Sequence, residues 1–190
     1  MLRETLVLAA ITSLWMAAPA YANSPASAVA NFYHWSLTTA SGAPAPAAQA
    51  ELRPLVTSEL HCLLTAAWKV MESYKVTHPG DKPPYVEGDL YSSMFEGPTA
   101  FTVQSVLLSG KTQAIGGVRL RYKDKQNSHI WGDTVHLRLE MGHWRVADIE
   151  RKDGETGRAN PLLKSLHTDL EMLDPEAALR GPGKCRPGAG

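Results

Sequence analysis

Apolar residues at helical spacing open the chain. Val29, Phe32, Tyr33 and Leu37 share one face and predict a helix over residues 24–40. Ser24 is a natural N-cap, and Pro25 sits at the first helical position, where its missing N–H costs nothing. Residues 41–48 are rich in Ala, Pro and Gly and read as a linker. Residues 49–75 are helical again, with Pro54 dividing a short helix ending at Arg53 from a longer one starting at about Leu55 or Ser58. Leu60, Leu63, Leu64, Ala67, Trp68 and Met71 form its apolar stripe. The run His78-Pro79-Gly80-Asp81-Lys82-Pro83-Pro84 cannot stay helical and reads as a loop.

Beyond this loop the period changes from helical to alternating. Residues 99–109, rich in Val, Phe, Leu and Thr, predict a first strand. Residues 112–123 predict a second, with Gly116-Gly117 as a bulge and Val118, Leu120 and Tyr122 alternating with Arg119, Arg121 and Lys123. In residues 131–141, Val135, Leu137, Leu139 and Met141 alternate with His136, Arg138 and Glu140. Gly142-His143 is a tight turn, and residues 144–151 make the fourth strand of an antiparallel meander. Leu162, Leu163, Leu166, Leu170 and Leu173 then share a helical face over residues 160–173, and Asp174-Pro175 ends it. The expected fold is one α+β domain over residues 23–173, with helices packed on a curved four-stranded antiparallel sheet and a C-terminal helix. Residues 174–190 read as a flexible tail unless Cys185 ties them down.

Composition adds the compartment. Arg3, the apolar run from Leu6 to Met16 and the small-x-small sequence Ala20-Tyr21-Ala22 read as a signal peptide cleaved after Ala22, which places the mature chain in the periplasm or outside the cell. The two cysteines, Cys62 and Cys185, are then expected to pair, closing most of the chain into a loop at a gain of about 4–5 kcal/mol. The chain carries 19 basic and 19 acidic residues and no net charge. It therefore has no long-range field for nucleic acid, and no further apolar stretch for membrane insertion after cleavage. His129, His136 and His143 are spaced by seven, and no paired metal-ligand spacing occurs, so no metal is expected. Glycine-rich phosphate loops and a Gly-x-Ser-x-Gly elbow are missing, and no cofactor is implied.

Helices followed by a meander that closes on Gly142-His143-Trp144-Arg145-Val146-Ala147-Asp148-Ile149 resemble the cystatin-like, nuclear transport factor 2-like superfamily, in particular its small exported bacterial members of unknown function. The early Phe32-Tyr33-His34-Trp35 helix and the segment Gly88 to Pro98 carry the same resemblance. It implies a cone-like curved sheet around a helix, with an internal pocket. Members include both enzymes and binding domains, so it implies no single activity.

The segment Asp89 to Glu96 is the most distinctive stretch. Asp89 or Glu96 could serve as a general acid/base at a pocket lip, with Tyr91 as a hydrogen-bond donor. Alternatively, Asp89 caps a short helix and Glu96-Gly97-Pro98 is its exit turn. Trp35, Trp131 and Trp144 could wall a pocket or simply fill the core. If Trp144 and Val146 face inward, strict alternation turns Asp148 inward too, with Arg119 or Arg121 as its partner, unless a bulge reverses the register. The functional expectation is an exported, non-catalytic module that binds a small apolar ligand in its cone or a periplasmic protein on its sheet. The alternative is a small enzyme, of isomerase or dehydratase type, using one of these carboxylates.

Overall fold

A computed structural model describes residues 23–39, 41–154, 156–173 and Cys185. The signal-peptide reading and most of the tail fall outside these residues. The chain folds as α1 (Pro25–Thr38), α2 (Pro46–Leu52), α3 (Ser58–Thr77), β1 (Ala100–Leu108), β2 (Gln113–Lys123), β3 (Ser128–Glu140), β4 (His143–Lys152), β5 (Ala159–Pro161) and α4 (Leu162–Leu173). The five strands form one open antiparallel sheet in sequence order, with β1 and β5 at its edges.

Local chemistry sets the helix starts. The Ser24 hydroxyl accepts from the Ser27 N–H at 3.1 Å while the Ser27 side chain returns to the Ser24 N–H at 3.0 Å, so α1 begins in a reciprocal cap. Thr57 caps α3, and the Glu140 carboxylate accepts from the Ser58 N–H at 3.1 Å. Pro46 opens α2 three residues earlier than the linker reading allowed, because proline suits a first turn as well as it suits a linker.

The helices cover one face of the sheet. Val29, Phe32 and Tyr33 of α1, Leu60, Leu63, Leu64 and Ala67 of α3, and Leu162, Leu166 and Leu170 of α4 are buried against Val118, Leu120, Val135, Leu137, Trp144, Val146 and Ile149. Each large apolar side chain buried this way contributes about 1.5–3 kcal/mol. Leu173, expected on the buried face of α4, is 42% exposed at the helix end.

Four sheet details depart from the sequence reading. A fifth strand, β5, precedes α4, so that helix starts at Leu162 and not at residue 160. The bulge near the two glycines lies on β1, between Val103 and Val106, which face Val118 and Gly116. The hairpin between β3 and β4 turns on Met141 and Gly142, both with positive φ (51° and 78°), which removes Met141 from the strand and leaves it 93% exposed. β4 carries its own bulge: His136 faces Asp148 while Leu137 faces Val146, which leaves Ala147 as the extra residue.

Cys62 on α3 and Cys185 form a disulfide across a separation of 123 residues, and Cys185 is buried. Such a bond fits an oxidising compartment. Among the described residues, no helix is long and apolar enough to cross a membrane. Replacing both cysteines by serine, or reducing the protein, should lower the unfolding free energy by up to about 5 kcal/mol, the chain-entropy value for a loop of this length. Denaturant titration with and without reductant checks this; coincident curves refute a stabilising cross-link.

Candidate functional site

The segment between α3 and β1 packs against the sheet as a compact loop and not as the short helix that a capping role for Asp89 required. The Asp89 carboxylate accepts from the Tyr91 N–H at 2.9 Å, two residues on. The Asp89 N–H donates to the Phe95 carbonyl at 2.9 Å, and the Gly97 N–H to that of Met94 at 3.1 Å. Gly97 adopts a φ of +71°, and a Cβ there would sit 3.1 Å from the Asp89 carboxylate, so glycine meets two requirements at the turn.

Two side chains, one buried and one half-buried, tie this loop to the sheet. Asp133 on β3 is 4% exposed. One of its oxygens accepts from the Ser93 N–H at 2.9 Å and the Trp131 indole N–H at 3.3 Å; the other accepts a short hydrogen bond from the Ser93 hydroxyl. Ser93 in turn accepts from the Lys152 N–H at 2.7 Å. Arg151 on β4 donates to the Leu90 carbonyl at 3.1 Å, the Ser165 hydroxyl at 3.0 Å and the Asn160 carbonyl at 3.3 Å. One guanidinium thus joins the loop, β5 and α4.

Electrostatically, this interior has more acids than bases. Burial pushes the carboxyls of Asp89, Asp133, Asp148 and Asp169 above their ordinary value, and Arg151 works against that rise in all four. Hydrogen bonds from Ser92 and the Tyr91 N–H also oppose it at Asp89, as those from Ser93 do at Asp133. Burial lowers Arg151 itself, countered by the same four carboxylates. Tyr33, fully buried beside them, is raised by burial and then by the charges of Asp133 and Asp89; its hydroxyl donates to the Tyr91 carbonyl at 3.5 Å.

The sequence-derived candidates separate into three groups. Asp89, Tyr91 and Glu96 come together, lining a cleft of about 200 Å³ with Ser36, Leu37, Thr39, Gly97 and Pro98, and Glu96 stands exposed at its rim. Behind the rim, Tyr91 and Trp35 meet edge to face at 5.5 Å. The Tyr91 hydroxyl and the Trp35 indole N–H are both buried without a hydrogen-bond partner. A second cleft of about 460 Å³ shares Thr39 and Ser41 with the first and is walled by Trp68, Met71, Tyr85 and Val86. Trp131 is half-buried and serves Asp133, and Trp144, 1% exposed, is a core residue.

Asp148 does not follow Trp144 and Val146. The bulge at Ala147 reverses the alternation, so Ile149 takes the buried face and Asp148 lies opposite His136. Its carboxylate accepts from the Ile149 N–H at 2.8 Å and from the Leu163 N–H at 3.0 Å, in the first turn of α4. Neither Arg119 nor Arg121 pairs with it.

Asp133 and Arg151 were missed by the sequence reading. Asp133 had a signal: extending the β3 stripe of Val135, Leu137 and Leu139 back two residues places a carboxylate in an apolar row. Arg151 had none, because an arginine near a strand end reads as solvated.

No protein-family model, no curated protein and no solved structure matches this chain.

Asp133→Ala should cost about 1–3 kcal/mol, since it leaves the half-buried Ser93 and Trp131 donors without their acceptor. Hydrogen exchange should quicken first at residues 91–93, whereas uniform quickening across the sheet would count against a clamp on the loop. The raised carboxyls set a pH trend. The folded state holds their protons more tightly than the unfolded one. Their stabilising contribution is therefore complete below the ordinary carboxylate range and is lost as pH rises through the raised values. The melting temperature should climb as pH falls from neutral to about 4.5, and Asp169→Asn should flatten that climb. A melting temperature that falls over this interval would contradict the trend.

Proposed function

We propose that this chain is an exported, non-catalytic module that binds a small polar ligand in the cleft lined by Asp89, Tyr91 and Glu96, on a cone-like fold of the cystatin-like, nuclear transport factor 2-like kind. The observation that carries the reading is the Tyr91 hydroxyl, a buried donor with no acceptor on a side chain that lines the cleft. Such a donor costs about 1–3 kcal/mol while unmet, and a ligand acceptor would recover that. A volume of about 200 Å³ lies below the usual range for drug-sized ligands, so the ligand is small. The leader-like sequence of residues 1–22 and the disulfide support export.

The structural use of two carboxylates supports the non-catalytic reading. Asp133 accepts on both oxygens from donors that hold the loop, and Asp148 accepts two N–H groups on one oxygen and so ties β4 to α4. Asp89 favours the second reading, a small acid/base enzyme, because it lines the cleft and burial raises its proton affinity.

Native mass spectrometry of the protein purified from its own exported fraction tests the first reading. A small molecule lost on denaturation is expected, with its occupancy reduced several-fold in Tyr91→Phe. A bare protein, or a ligand retained equally by that variant, would refute binding at this cleft. Turnover of the released ligand by the wild type but not by Asp89→Asn would instead establish the enzyme.

A further inference from the structure

On the face of the sheet turned away from the core, two arginines of β2 stand exposed and without an acceptor. Arg119 and Arg121 on β2 are exposed. They are two residues apart on a strand, so their side chains leave the same face about 7 Å apart, and their like charges repel. Their cross-strand neighbours are Thr102 and Gly132 for Arg119, and Ala100 and Ile130 for Arg121, none of them charged. Among the described residues, neither guanidinium makes a hydrogen bond or an ion pair.

Further along this face His136, Arg138 and Arg145 are met from within the molecule, whereas Lys123, next on the same side of β2, is exposed and also has no ion pair among the described residues. His136 lies 3.6 Å from Glu150. Arg138 lies 3.0 Å from Glu59 and 3.4 Å from Glu140, and Arg145 donates to the Arg53 carbonyl at 2.8 Å. The contrast is local, since the chain as a whole is neutral.

The unmet pair lines a groove of about 380 Å³ with Ala100, Thr102 and Ile130. Gly132 keeps the approach clear beside it: a Cβ there would meet one backbone oxygen at 3.6 Å and nothing closer. Two planar guanidinium forks over one groove match the oxygens of a tetrahedral or planar anion, and Thr102 adds a hydroxyl.

We propose that this groove is an anion-binding site, separate from the Tyr91 cleft, which takes a small soluble oxyanion ligand through Arg119 and Arg121. Phosphate is its simplest form. A bound dianion offsets the repulsion between the two arginines and supplies the acceptors that they lack.

The test is a titration of the ¹⁵N-labelled, oxidised protein with inorganic phosphate, at ionic strength held constant with sodium chloride. Saturable shifts are expected at the amides of Ala100, Thr102, Ile130 and Gly132. Arg119→Gln and Arg121→Gln should each weaken binding about tenfold, the equivalent of losing one charge-assisted hydrogen bond. Arg119→Lys, which keeps the charge and loses the fork, should fall between. Arg53→Gln, away from the groove, should bind as the wild type does. Shifts that do not saturate, that chloride reproduces, or that survive both glutamine substitutions would overturn the site. All three substituted positions are exposed, so melting temperatures should stay within about 2 °C of wild type, and the lysine variant remains decisive should a glutamine variant fold poorly.

Discussion

Three of the four helices begin along one edge of β4, and the backbone needs of that edge organise the helical layer. A strand presents N–H and C=O groups on both sides, and β3 satisfies only one side of β4. The other side is met piecewise. The Asn23 amide takes both groups of Trp144, at 2.8 and 3.0 Å, immediately before α1 begins. Val146 exchanges hydrogen bonds with Leu55 and Thr57, at 2.9 Å each, immediately before α3. Glu150 to Lys152 pair with β5, immediately before α4. The bulge at Ala147 lies where the second partner gives way to the third, and it turns Asp148 to the position from which its carboxylate reaches α4.

The loop carrying the candidate site depends on this same strand. Arg151 is on β4, and Asp133 is on the strand beside it, so both anchors of residues 90–93 come from adjacent inner strands of the sheet. Anchoring a loop with buried charge is costly. Four carboxylates share one interior guanidinium, and each is held away from its ordinary ionisation by burial. The same anchoring holds Asp89 at the cleft, beside Tyr91, whose ring packs into the core against Phe32 and Trp35.

Elements governed by periodicity were legible in the sequence. The alternation in Val118, Leu120 and Tyr122 gave β2, and the Leu60 to Met71 stripe gave α3. Ser24 with Pro25 marked the start of α1, and Pro54 the break before α3. The cysteine pair was legible through the compartment argument. The bulges were not, since one extra residue such as Ala147 leaves no compositional trace while reversing every side chain after it. β5, three residues ending in Pro161, is too short to show a period. Of the candidate site, the grouping of Asp89, Tyr91 and Glu96 was local enough to read. The anchors Asp133 and Arg151 act across 40 and 61 residues of chain, beyond the reach of any local pattern.

The link between Cys62 and Cys185 also makes a closed ring of covalent bonds that contains most of α3, the whole sheet and α4, with α1 and α2 outside it. Residues 75–82, at the end of α3 and in the turn beyond it, are exposed and fall within that ring. A protease cutting there opens the ring without releasing a fragment, because the two pieces stay joined through sulfur. Such a nick adds a single water to the mass of the intact molecule, and the sheet remains fastened to its helix until a reductant separates them.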